Sequence, residues 1–122
     1  MDLIMPQVFD RIKAASGELV RCRRYNIGTW NMDVYTTVNV AWSWADVTKI
    51  LSVDVMILND NGEYLYPLCA LTDNTTGKCC GGISMIAPTF IGLFRTDSML
   101  FDSANFNDAV MNRGYIYVWY IE

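Results

Sequence analysis

The sequence predicts an all-β protein: an antiparallel β-sandwich of about six or seven strands with a short N-terminal helix. Three observations predict it. First, every residue from Tyr115 to Ile121 is β-branched or aromatic, a composition that fits a pleated surface. Second, residues 34–43 alternate, with Val34, Thr36, Val38, Val40 and Trp42 on one side and Tyr35, Thr37, Asn39, Ala41 and Ser43 on the other. Third, short apolar runs recur along the chain between turn residues, with neither an internal repeat nor the strand–helix–strand rhythm of a parallel sheet. The division expected is an N-terminal helical arm, 1–18, and a β-sandwich domain, 19–122.

The elements follow in order. Met5, Val8, Phe9 and Ile12 recur at helical spacing over residues 3–15, Pro6 suits a first turn, and Ser16-Gly17 ends the segment. Such a helix either packs on its own domain or serves as a docking or trimerising arm. Residues 19–27 form the first strand and Gly28 breaks it. The alternating run 34–43 is the second. Residues 46–49 suit one helical turn. Residues 50–58 form the third strand, with Val53, Val55 and Ile57 facing one way. Asp60-Asn61-Gly62 then predicts a tight hairpin, because Asn-Gly tolerates the positive φ of two-residue turns. Residues 63–68 return. A polar loop, 71–82, leads to short strands over 83–86 and 89–95, and a long surface loop, 96–111, precedes the last strand.

That last strand is apolar on both sides. Tyr115, Tyr117, Trp119 and Ile121 share one face, and Ile116, Val118 and Tyr120 share the other. An antiparallel strand on a sandwich normally wets one face. A strand greasy on both needs a core beneath and a cover above. The simplest cover is another copy of the chain, so these four residues are the candidate subunit interface.

Composition supports association. Of the 122 residues 52% are hydrophobic and only 18% are charged, lean for a soluble monomer. A net charge of −4 disfavours nucleic acid, which needs a basic footprint; the cluster Arg21, Arg23 and Arg24 is short. Nothing in the sequence predicts a membrane-spanning helix or a secretory signal, so synthesis in a cytosol is expected. Cys22, Cys69, Cys79 and Cys80 then read as reduced thiols, with no C-x-x-C spacing and no histidine to complete a zinc site.

Catalytic chemistry finds little footing. Without histidine, a serine or cysteine nucleophile lacks its usual base. Asp97, Asp102 and Asp108 cluster in one loop, but solvated loop acids explain them. No phosphate loop and no complete calcium loop is present. The chain is expected not to be an enzyme and to need no cofactor or metal. Binding is better supported. Trp30, Asn31 and Asp33, with Trp42 and Trp44, place indoles beside hydrogen-bonding groups, a combination that stacks on sugar rings and equally fills cores and subunit interfaces.

Several motifs carry a resemblance. In the first half they are Ile27-Gly28-Thr29-Trp30-Asn31-Met32-Asp33, the alternation 34–41, and the run from Lys49 to Asp60. In the second they are Gly82-Ile83-Ser84, Ile91-Gly92-Leu93-Phe94-Arg95-Thr96, Phe101-Asp102-Ser103 and Asn112-Arg113-Gly114-Tyr115-Ile116. Their order resembles small β-domain proteins of tailed phages of gut bacteria, including crAss-like phages, found in virion fibres or surface decorations. The layout also resembles H-type lectins, six-stranded sandwiches that trimerise and bind sugars such as N-acetylgalactosamine. The resemblance spans about residues 19–122. It implies a structural virion protein, a homotrimeric fibre, head-fibre or capsid-decoration component. The arm would attach it to other virion proteins. The alternative is a carbohydrate-binding adhesin module for host surface glycans.

Overall fold

The computed structural model describes residues 17–69 and 77–122. The helix expected over residues 3–15 lies outside the described residues. Seven strands form two antiparallel sheets. They are β1 (Val20–Asn26), β2 (Thr37–Ala41), β3 (Ile50–Leu58), β4 (Leu65–Pro67), β5 (Gly81–Ile86), β6 (Phe90–Arg95) and β7 (Gly114–Ile121). Sheet 1 has the order β1-β7-β3-β4, and sheet 2 the order β2-β6-β5.

The period-two patterns decide which side of each strand is buried. On β3, Val55 and Ile57 are buried while Ser52 and Asp54 are exposed. On β2, Val40 is buried between exposed Asn39 and Ala41. Ile116 and Val118 of β7 are fully buried and join Val55, Ile57, Ile91 and Leu93 in the core between the sheets. β7 sits between β1 and β3, opposite Val118 of which lie Arg23 and Val53. The register of β3 slips between Ile50 and Ser52, and the extra residue, Leu51, is turned outward.

Three segments depart from expectation. The second strand begins at Thr37 rather than Val34, because Asn31 captures the preceding turn. Its carbonyl accepts the N–H groups of Val34 and Tyr35, and its Oδ1 also accepts from Val34. The connection after β3 is a six-residue loop, 59–64, not a two-residue hairpin. Gly62 has the positive φ expected of it, +70°. The loop widens because Asn59 Oδ1 accepts from Glu63 and Tyr64, while Asp60 reaches the neighbouring loop at Asn107 and Asp108. The loop 96–111 is polar outside, yet it buries Phe101 and Phe106 and forms a 3-10 turn at Ala104–Phe106. The helical turn expected at 46–49 is present as a 3-10 turn, Val47–Lys49, capped by Asp46 through Thr48 N–H.

The loops 27–36, 59–64 and 96–113 meet at one end of the sandwich, where two buried arginines bind them together. Arg113 has no solvent exposure. Its Nε donates to Trp30 O (2.8 Å), Nη1 to Leu58 O (2.9 Å) and Nη2 to Asp108 O (2.9 Å), and Nη2 lies 3.0 Å from Asp60 Oδ1. Arg95 donates through Nε to Met32 O (2.6 Å) and pairs through Nη1 with Asp97 and Asp102. A planar fork of five donors suits this task, since each arginine ties backbone from several loops to one rigid group. Either side of Arg113, Asn112 Oδ1 accepts from Gly28 N–H (2.9 Å), and Gly114 touches β3 so closely that a Cβ there would lie 2.0 Å from Met56 O.

Candidate functional site: the outer face of sheet 1

The outer face of sheet 1 is built by the residues that alternate away from the core. β7 contributes Tyr115, Tyr117, Trp119 and Ile121, all half-buried. β1 and β3 frame them. Tyr115 lies opposite Asn26 and Met56, Tyr117 opposite Arg24 and Asp54, and Trp119 opposite Cys22 and Ser52. The result is an aromatic ladder along a central strand. Tyr115 and Tyr117 are 6.5 Å apart between ring centroids, and the Arg24 guanidinium rests 4.8 Å from the Tyr115 ring centre. Beside the ladder is an open groove of about 340 Å³ whose walls include Tyr117, Trp119, Met56, Pro67 and Cys69.

The charges on this face are few and of both signs. Arg24 and Asp54 are exposed on either side of Tyr117. Burial first, then Asp54, raises the Cys22 thiol above its ordinary value. Cys22 therefore stays a neutral thiol near pH 7. The face can do what apolar, aromatic surfaces do: exclude water against a complementary surface and fix its orientation by a small number of polar contacts.

The residues expected to hold sugar lie elsewhere. Trp30, Trp42 and Trp44 are buried members of the core. Trp30 Nε1 donates to Tyr35 O (2.9 Å) and Trp42 Nε1 to Ala87 O (2.6 Å). Trp44 stands edge-on to Tyr120 at 4.9 Å, with the Arg23 guanidinium 4.7 Å from its ring centre. Arg23 is held charged by the Tyr25 hydroxyl, chiefly, and the Tyr120 hydroxyl. Asn31 and Asp33 are half-buried in the turn that the buried Arg95 braces at Met32 O. A shallow depression of about 240 Å³ does open beside them, lined by Thr29, Asn31, Tyr35 and Thr37. Its exposed ring is Tyr35, which the sequence placed on a strand.

The acids of the long loop are engaged in structure. Asp102 Oδ2 accepts from Ser98 N–H, Asp60 from Asn107 and Asp108 N–H, and Asp108 Oδ1 from Val110 and Met111 N–H. The last pair of bonds holds the Asp108 carboxyl below the usual carboxylate value. Among the described residues no cluster of cysteine or acid side chains is arranged to hold a metal ion, and no helix is long and apolar enough to cross a membrane. Of the expected thiols, Cys22, Cys69 and Cys79 are exposed and Cys80 is buried.

No protein-family model, curated protein or solved structure matches this chain.

Proposed function

We propose that this protein is a structural building block that associates with its own kind, a homotrimer joined through the outer face of sheet 1. The observation that carries the proposal is the ladder Tyr115, Tyr117, Trp119 on the central strand, with an apolar groove at its side and only sparse charge around it. A central strand backed by its own core has no need of three aromatic side chains on the opposite face. Stacked copies give those rings a second neighbour, and closed symmetry lets one patch serve every subunit. The engaged acids of the loop 96–113 favour a structural role over glycoside hydrolysis, which needs two free carboxyl groups across a groove.

The setting we propose is the surface of a virus particle. The protein would be a fibre, head-fibre or decoration component of a tailed phage, made in the host bacterial cytoplasm and attached to other virion proteins through residues 1–18. This part rests on the order of motifs along residues 19–122. The structure gives those motifs a shared physical purpose: Asn112, Arg113 and Gly114 lock β7 to the loops at Gly28 and to β3, while Arg95 and Asp102 close the second loop pair.

Trp119→Asp tests the interface. A charge placed at the centre of a dry contact should yield a soluble, folded monomer. Trimers of unaltered mass and stability would remove Trp119 from the interface. A second reading, a host-glycan contact, is favoured only by the depression at Tyr35 and Asn31. Binding on a glycan array that disappears with Tyr35→Ala would support it, and silence across the array would leave the structural reading alone.

A further inference from the structure

We propose that Cys69 and Cys79 form a disulfide that fastens the connection between the two sheets onto the open edge of sheet 2. The geometry begins with β5, which pairs with β6 on one side and has no strand on the other. Gly81 lies opposite Arg95, and Thr96 N–H donates to Cys80 O on the paired side. Backbone groups alternate in direction along an antiparallel strand. The carbonyl of Gly81 and the N–H of Ile83 therefore point to the unpaired edge. Cys79 Sγ donates to the first of these, Gly81 O, at 2.6 Å. Cys69 Sγ accepts from the second, Ile83 N–H. Two residues of strand advance roughly 7 Å. Both sulfurs are therefore anchored within one pleat of each other on the same edge.

The surroundings hold them there. Leu68, next to Cys69, is fully buried against β5, where a Cβ on Gly81 would come within 2.4 Å of Leu68 Cδ1. Thr96 Oγ1 donates to Cys79 O at 2.6 Å. Both thiols are exposed, whereas the adjacent Cys80 is buried in the core and turned from the reaction. Burial first, then the neighbouring Cys79 and Asp54, keeps the Cys69 thiol protonated at neutral pH. This casts Cys79 as the attacking sulfur and Cys69 as the resolving one.

With oxidised glutathione as the oxidant, the step balances. The Cys79 thiolate attacks one glutathione sulfur, a Cys79–glutathione bond forms, and a glutathione thiolate leaves. Cys69 then loses its proton and attacks the Cys79 sulfur, and the second glutathione thiolate leaves. Two electrons pass from the protein thiols to the glutathione disulfide, whose two thiolates take up the released protons. The bond closes a short loop over an unpaired strand, the part of a sheet most open to unwanted pairing. It would form after the particle leaves a reducing cytosol.

The test treats the full chain with oxidised glutathione, alkylates the remaining thiols and digests with trypsin. Cleavage after Lys49, Lys78 and Arg95 separates residues 50–78 from 79–95. The expected result is a loss of two free thiols and about 2 Da per chain. The two peptides should be joined, and fragmentation should place the bond at Cys79. The link should vanish in Cys69→Ser and in Cys79→Ser. A bond through Cys80, glutathione adducts without a link, or bonds only between chains through Cys22 would each overturn the proposal.

Discussion

Replacing Arg113 by methionine should destabilise the fold more than any other single change at the loop end. Methionine keeps much of the stem's volume and removes the guanidinium. Three carbonyls lose their donor: Trp30 O, Leu58 O and Asp108 O. Asp60 loses its cation, though it retains the N–H groups of Asn107 and Asp108. A buried acceptor left without a partner costs roughly 1–3 kcal/mol. Trp30 is buried and Leu58 half-buried, so both bear that cost; Asp60 is 21% exposed on its side chain, and water recovers part of its loss. The total is about 3–5 kcal/mol, in line with breaking other buried ion pairs from one side. For a chain of this size that lowers the thermal midpoint by on the order of 10–20 °C. Urea denaturation at one fixed protein concentration is the assay, since association would otherwise shift the midpoint. Arg113→Lys keeps the charge at Asp60 but loses the fork, and should fall between wild type and methionine. A loss under about 1 kcal/mol for methionine would show that the loops hold together without Arg113.

Further outcomes follow from other contacts. Gly114→Ala should unfold the chain or misregister β7, because its Cβ would sit 2.0 Å from backbone at Met56; circular dichroism and expression level report this. Ile116→Ala should cost about 2–5 kcal/mol in denaturant while leaving the assembled mass unchanged, and Tyr117→Ala should do the reverse. The carboxyl of Asp108 is held below the ordinary value of 3.8 by Val110 and Met111 N–H. Its stabilising effect is thus fully present above that value and disappears as pH falls through the lowered folded value. Amide exchange at Val110 and Met111 should rise over that acid window, and Asp108→Asn should flatten the change.

The strands were legible because burial in a sandwich imposes a period of two, and β3 and β7 carry it without interruption. Val34 and Tyr35 misled because the alternation continues into a turn that Asn31 takes over by local hydrogen bonding. Strand order was beyond reach, since β7 inserts between β1 and β3 from the far end of the chain. The interface face was visible as a doubly apolar run. The two buried arginines were not, because a charged residue in a polar loop looks solvated; only the company of Asn112 and Gly114 hinted that Arg113 turns inward. The three indoles looked like a sugar platform because sequence shows neighbours along the chain and not the sheet above them. Their burial, and the backbone carbonyls that accept from Trp30 and Trp42, place them in the core.

The most direct measurement is the mass of the native protein in solution by light scattering at micromolar concentration. Copies capping one another across Tyr115, Tyr117 and Trp119 give a species three times the 13.9 kDa of the chain. A single 13.9 kDa species at that concentration would mean the outer face of sheet 1 stands against water on its own, contrary to the proposed assembly.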